Sequence, residues 1–274
     1  MPGRKHRKIP VYQVDVFAER LFAGNPAAVC PLEAWLRDAT LQNIATEINF
    51  SDTAFFVREP KGSDADFHLR WFTPANEIEL CGHATLASGY VLMAELGWDK
   101  PVVRFRTQSG MLAVERKGRN LWLDLPVQMP APLLKPPAAL LEGLRSSPQK
   151  LLATPTKYFA VYRTEAEVEG VSPDMDLLAT LTGKGVVITA PGGRSGADFV
   201  SRFFAPAHGI PEDPVTGSAH CLLVPYWAEQ LGLEQLEAAQ LSQRGGKLSC
   251  EIAGDRVRIT GPVRPFLKGE IAVA

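Results

Sequence analysis

The chain has 274 residues, 46% hydrophobic and 22% charged, with a formal net charge of -1. That balance describes a globular protein with apolar material for one or two cores, and it supplies no one-signed field of the kind that draws in nucleic acid or an anionic membrane. No stretch reaches the ~20 consecutive apolar residues of a membrane-spanning helix, so neither nucleic acid nor membrane is an expected partner.

The N-terminus, "MPGRKHRK", gathers Arg4, Lys5, Arg7 and Lys8 and reads as a frayed, solvated tail. It is followed by "IPVYQVDVF", which alternates like a strand and carries Asp15, unlike a cleaved leader. "LRDATLQNIATEI" is an amphipathic outer helix with Leu41, Ile44, Ala45 and Ile48 on one face and Glu47 on its flank. "DTAFFV" and "FHLRWF" are strands, a polar step leads into an apolar helix near Ala84–Ala94, and "MLAVE" and "LWLDL" form a hairpin. "PVQMPAPLLKPP", with five prolines in twelve residues, sustains neither helix nor central strand. It divides a first half, 1–126, from a second, 127–266. Beyond it, "KYFAVYR", "GVVIT", "DFVSRFF", "KLSCEI" and "RVRIT" are strands, "DMDLLATLTG" is a second outer helix, and a last strand in 267–274 can return to either half.

The halves repeat one unit. When "RWFTPANEIELCGHATLASGYVLMAELG" is set under "SRFFAPAHGIPEDPVTGSAHCLLVPYWAEQLG", Phe72 and Pro74 fall on Phe204 and Pro206, Gly82 on Gly217, and Gly97 on Gly232. "SGMLAVERKGRNLWLDLP" then matches "GGKLSCEIAGDRVRITGP". Neither repeated helix carries Asp, Glu, Lys or Arg, between Ala84 and Ala94 or between Ala219 and Ala228, so each is expected to be buried on most sides. The fold class is therefore α/β (α+β): two pseudo-symmetric halves, each a curved sheet or barrel around a central buried helix.

A helix start leaves N–H groups without partners and carries a partial positive charge, which suits an anion, and glycine allows close approach. Gly82-His83-Ala84 and Gly217-Ser218-Ala219 are thus two matching cups for a substrate carboxylate or for developing negative charge. The plainer alternative is that Thr216 or Ser218 caps its own helix. Glu47, in a last helical turn that opposes the dipole, suits general acid-base work if partly buried, and is otherwise a surface glutamate. His83 can relay a proton or bind a ligand at the first cup. Asp213 is either a turn residue before Pro214 or an acid-base group. Cys81 precedes Gly82, where the dipole favours thiolate, while Thr216 holds the equivalent step of the second half. Cys221 should point into the core.

Cys30, Cys81, Cys221 and Cys250 form no CxxC pair, as expected for reduced thiols in the cytoplasm. No dinucleotide or phosphate-loop fingerprint and no nucleophile elbow is present; "GGRSG" lacks a following helix pattern. Cys81, His83, His220 and Cys221 lack paired metal-ligand spacing, so no metal is expected.

Together "YQVDVFAERLFAGNPAAVC", "ATEINFSDTAFF", "RWFTPANEIELCGHATLA" and "PEDPVTGSAH", which span nearly the whole chain in order, resemble the PhzF-like (phenazine biosynthesis isomerase-like) family, relatives of diaminopimelate epimerase. The resemblance implies the two-half epimerase-like fold, a cleft between the halves, cofactor-free proton chemistry on a small carboxylate, and a homodimer. It also implies that Glu47 is the acid-base residue, that His83, Asp213 and Ser218 are its active-site companions, and that Gly82 and Gly217, with Ala84 and Ala219, form the anion-binding turns beside Cys81 and Thr216. Epimerases of the superfamily carry a cysteine at each helix step, and Thr216 breaks that pair. The phenazine enzyme itself lacks a cysteine at the position of Cys81, so its substrate does not transfer. Two alternatives stay open: a one-base epimerase using Cys81, and a non-catalytic small-ligand-binding protein on the same fold.

Overall fold

The structure, a computed structural model, describes residues 7–181 and 183–273. Two compact units form. One takes the chain up to Val16, from Pro26 to Leu123 and from Val263 onward; the other takes Phe17–Asn25 and Asp124–Pro262. Arg7 and Lys8, read from sequence as part of a tail, instead open the strand Arg7–Val16, which runs antiparallel to Val263–Val273 with Arg7 opposite Val273 and Lys8 opposite Ala272. Backbone pairing to the last strand holds them, and Lys8 Nζ donates to Glu270 at 2.8 Å. Residues 1–6 of that stretch lie outside the described residues.

In the first unit, strands Asn25–Leu32 and Asp52–Arg58 are parallel and joined through helix α1 (Asp38–Ile48). Phe67–Phe72 folds back antiparallel on Asp52–Arg58. Helix α2 (Gly82–Tyr90), prolonged by a wider turn at Val91–Glu95, crosses to Val102–Thr107, parallel to Phe67–Phe72, and Gly110–Lys117 returns as a hairpin. The second unit begins with α3 (Ala138–Leu144) and then runs the same course. Lys157–Val161 and Gly185–Pro191 are parallel across α4 (Glu165–Gly170) and α5 (Met175–Ala179), and Phe199–Ala205 is antiparallel to the latter strand. Helix α6 (His220–Leu231) crosses to Gln235–Gln240, parallel to Phe199–Ala205, and Gly246–Ala253 closes the hairpin. Parallel strands demand such crossovers, and the repeated order of crossover, return, crossover and hairpin is the duplication seen in the sequence.

Side chains repeat as well. Arg70 grips both carboxylate oxygens of Glu77 at 2.7 Å and lies 5.2 Å from the Phe72 ring centre. Its counterpart Arg202 grips Glu212 at 2.7 and 3.0 Å and lies 4.9 Å from the Phe204 ring. These half-buried forks fix strand Phe67–Phe72 and strand Phe199–Ala205 to the loop that leads toward each central helix.

The uncharged stretches of the two central helices are buried, as their composition requires. Every residue from Gly82 to Gly89 and from His220 to Trp227 is buried. α2 lies so close to strand Gly110–Lys117 that a Cβ on Gly89 would stand 2.6 Å from Val114 Cγ1. α6 contains Pro225, which has no N–H for the carbonyl of Cys221. That carbonyl is satisfied instead by Gln128 N at 2.9 Å, so the proline-rich connector supplies what the helix lacks. Among the described residues, no helix is long and apolar enough to cross a membrane.

Candidate active site

In the first unit the candidate residues stand on and beside α1 and α2. Leu41, Ile44 and Ala45 bury one face of α1, and Asn49 ends the helix in the left-handed region with φ 55°, its N–H bonded to Ala45 O at 3.0 Å. Asparagine tolerates that conformation and turns the chain at once into Ser51 and Asp52. Glu47, in the last turn, is exposed. The partial burial expected from the sequence is absent, because its position on the flank of the apolar face turns the side chain outward. Ser51 follows it by four positions, a span that reaches at most about 14 Å.

His83 is buried in the first turn of α2 at 3% exposure. Its Nδ1 lies 3.5 Å from Cys81 Sγ. On the other side of the ring, Nε2 lies 3.4 Å from Ser51 Oγ and 3.6 Å from Asp52 Oδ2. Cys81 occupies the N-cap of α2 in extended conformation and makes no side-chain cap, while its carbonyl accepts from the Thr85 hydroxyl at 2.5 Å. Gly82 and Ala84 are buried beside it. One donor atom from each of Asp52, Cys81 and His83 falls within 4.8 Å of the others, a set of a kind that can hold a metal ion. The sequence reading missed Asp52 and Ser51. The signal was their nearness to Glu47 in "TEINFSD", but nothing local showed that this turn meets α2.

The second unit organises its step differently. Asp213, 7% exposed, receives Asn25 Nδ2 on Oδ1 at 2.7 Å and the Thr216 hydroxyl on Oδ2 at 2.5 Å. Asn25 also donates to Val215 O at 2.9 Å, and Gln240 donates to Asp213 O at 2.7 Å while accepting from Thr216 N at 2.8 Å. Both carboxylate oxygens of Asp213 are thus engaged by buried donors that fix the turn, the structural role that its position before Pro214 also allowed. Asn25 and Gln240 were not foreseen, since they stand far from Asp213 in the chain.

Thr216 turns its hydroxyl to Asp213 and caps no helix, and neither does Ser218, so the plain capping alternative is not what the chain adopts. Gly217–Ala219 form a single tight turn, and α6 proper starts only at His220. The reason is local: Thr216 O accepts from Ala219 N at 3.1 Å and from His220 Nδ1 at 2.9 Å, which closes the chain over three residues. Gly217 and Ala219 are buried and Ser218 is half-buried.

Burial sets the state of several groups. The pKa of His220 is pushed down to about 4, so its ring is neutral, with Nδ1 as the donor to Thr216 O. Burial pushes the Cys30 thiol up to about 12 and the Cys221 thiol up to about 11, and raises that of Cys250 well above its ordinary value, so these three are inert core residues.

The fold recurs in solved structures of low sequence identity. A hydroxyproline epimerase of Agrobacterium vitis superposes with a TM-score of 0.63 at 11% identity, covering 98% of this chain and 94% of that one, a likeness of fold alone. Within that fold the chain belongs to the phenazine biosynthesis-like (PhzC-PhzF) family, whose model matches residues 14–269. An uncharacterized isomerase of Pseudomonas aeruginosa is 47% identical over 264 residues, 96% of this chain and 99% of the relative. A PhzF-family structure from Enterococcus faecalis superposes with a TM-score of 0.88 at 43% identity, covering 97% of this chain and 99% of that one.

Proposed function

We propose that this protein is a cofactor-independent isomerase that moves a proton on a small carboxylate-containing metabolite, with Glu47 as the general acid-base group. The observation that carries the reading is the buried His83, set between Cys81 and the Ser51-Asp52 turn only four residues beyond Glu47. Family membership supports the class, since full-length relatives are named isomerases.

In this reading the exposed Glu47 carboxylate meets the substrate as it enters, removes a proton from carbon and returns it at another atom of the conjugated system. The negative charge that develops is offset by the backbone N–H groups at Gly82 and Ala84, in a helix start with no side-chain cap of its own. Gly217, Ser218 and Ala219 are the second polar step of this reading. Ser218 offers its hydroxyl to the ligand, and Asp213 acts through Thr216 by holding that turn in shape. A homodimer belongs to the same reading and is checked by sedimentation.

The test is exchange in heavy water against a panel of small unsaturated carboxylates. Conversion with solvent deuterium at the new C–H position, lost in Glu47→Gln, supports the assignment. Full isotope incorporation by Glu47→Gln removes Glu47 from the role. A second reading, epimerisation by Cys81 as single base, is favoured by its 3.5 Å approach to His83 Nδ1. Deuterium at a retained carbon centre with inverted configuration would select it.

A further inference from the structure

We propose that the cavity beside the segment Phe17–Asn25 in the second unit binds a small anion, a phosphate ester or a carboxylate, and that its occupant braces the turn 213–216. The inference goes beyond the isomerase reading and needs no substrate for its test.

The cavity measures about 430 Å³, the size of a small-ligand site, and all of its lining belongs to the second unit. Two stretches far apart in sequence build it. Arg244 Nε donates to Gly24 O at 2.8 Å and its Nη2 to Ala23 O at 3.0 Å, while Gly24 N donates to Gly245 O at 2.7 Å. Glycine at 246 permits so close an approach, because a Cβ there would stand 2.5 Å from Val215 Cγ2 and 2.7 Å from Phe17 O. Arg244 is therefore a clamp that closes the loop on the strand Gly246–Ala253. Glu19 and Arg20, also in the lining, lie in the exposed part of the loop.

Charge selects the occupant. The lining carries three bases, Arg20, Arg244 and Lys247, against two acids, Glu19 and Glu169. Each acid already meets a base: Glu19 lies 3.3 Å from Lys247 Nζ, and Glu169 pairs with Arg194, the chain neighbour of Ser195 in the lining. The Arg20 side chain makes no hydrogen bond or ion pair with any described residue. A planar guanidinium is thus left for a ligand, and its fork of N–H groups matches phosphate and carboxylate oxygens. A cation would meet the excess of bases, and an apolar molecule would cover Arg20 without giving it an acceptor. Two further lining residues connect the cavity to the turn. Ser242 donates to Pro214 O at 2.7 Å, and Gln240 donates to Asp213 O at 2.7 Å while accepting from Thr216 N at 2.8 Å. An occupant seated against Gln240 and Ser242 restricts the side chains that hold the turn, so binding and turn stability are coupled.

The experiment follows amide NMR signals of the full chain as inorganic phosphate, acetate or succinate is added, with ionic strength held constant by chloride. Signals of Arg20, Gly245, Gly246 and the Gln240 side-chain amide are expected to shift saturably, with a dissociation constant of about 1 mM. Arg20→Gln weakens binding about tenfold or more, and Arg20→Lys restores part of it. Glu19→Gln, which releases Lys247, tightens binding about two- to fivefold. At ten times the dissociation constant, hydrogen exchange at the Thr216 amide slows about tenfold. Both substituted side chains are exposed, so the variants keep the unfolding midpoint of wild type. A response to phosphate alone assigns a phosphate ester and a response to acetate or succinate alone a carboxylate; either supports the site. No saturable shift with any of the three by about 10 mM overturns the proposal. So does a shift that Arg20→Gln and Lys247→Gln both leave unchanged, or binding that leaves exchange at Thr216 as it was. Glu47 takes no part in these measurements, so loss of the isomerase reading and loss of this site are separate results.

Discussion

Replacing Asn25 by alanine tests how the turn at Asp213 is held. Asn25 is fully buried, and its Nδ2 gives one hydrogen to Asp213 Oδ1 at 2.7 Å and one to Val215 O at 2.9 Å. A hydrogen bond to a charged acceptor contributes ~1.5–3 kcal/mol net and a neutral one ~0.5–1.5 kcal/mol, so Asn25→Ala is expected to cost about 2–4 kcal/mol. That is a sizeable part of the ~5–15 kcal/mol that keeps ordinary domains folded. The assay is urea unfolding followed by tryptophan fluorescence, with the change in midpoint converted through an unchanged slope. Thr216→Val removes the other donor to the Asp213 carboxylate, and since both act on one group their effects should be non-additive by ~0.5–3 kcal/mol in a double-mutant cycle. Asn25→Ala within ~0.5 kcal/mol of wild type, or strict additivity with Thr216→Val, would refute the account of Asp213 as a clamped turn residue.

Gly89→Ala places a methyl group 2.6 Å from Val114 Cγ1, and overpacking of this kind costs ~1–3 kcal/mol. Val114→Ala should rescue it, giving a double variant more stable than the sum of the singles in the same unfolding assay. His220 predicts a pH dependence: its folded pKa of about 4 lies below the unfolded ~6.5, so the unfolded chain binds the extra proton. Stability from this group is complete above pH ~6.5 and is lost as pH falls toward ~4, by up to about 3 kcal/mol. His220→Asn, which keeps a donor for Thr216 O, should flatten that acid-side loss; an unchanged slope between the two pH values contradicts the burial argument.

The duplication was legible because it rests on local marks: glycines at helix starts and ends, hairpins of equal length, and two helical stretches of about ten residues without a charge. Burial of α2 and α6 followed directly. Other strands were hidden. "NPAAVCPL", the strand Asn25–Leu32, is covered on both faces, so it neither alternates nor excludes proline at its rim. "QLEAAQ" has the composition of a helix, yet pairing with Phe199–Ala205 on one side and Gly246–Ala253 on the other makes it a strand. The site divided along the same line. Cys81, Gly82 and His83 could be singled out as candidates because a helix start is a sequence feature. Asp52 and Asn25 were missed because each acts through a partner brought near only by folding, 31 residues away for His83 and 188 for Asp213. The flank position of Glu47 was read correctly, but a face pattern gives no measure of how much neighbouring chain covers a last turn.

Proton transfer from carbon by Glu47 is the central claim, and mass spectrometry of product formed in deuterium oxide addresses it most directly. Wild type should place one solvent deuteron at the new C–H position, and Glu47→Gln, folded to the same unfolding midpoint, should lose at least a hundredfold in rate, the low end of what a positioned acid-base group contributes at ~10²–10⁴. Product free of deuterium after repeated turnover in substrate-limited reactions, together with a Glu47→Gln rate equal to wild type, would contradict it.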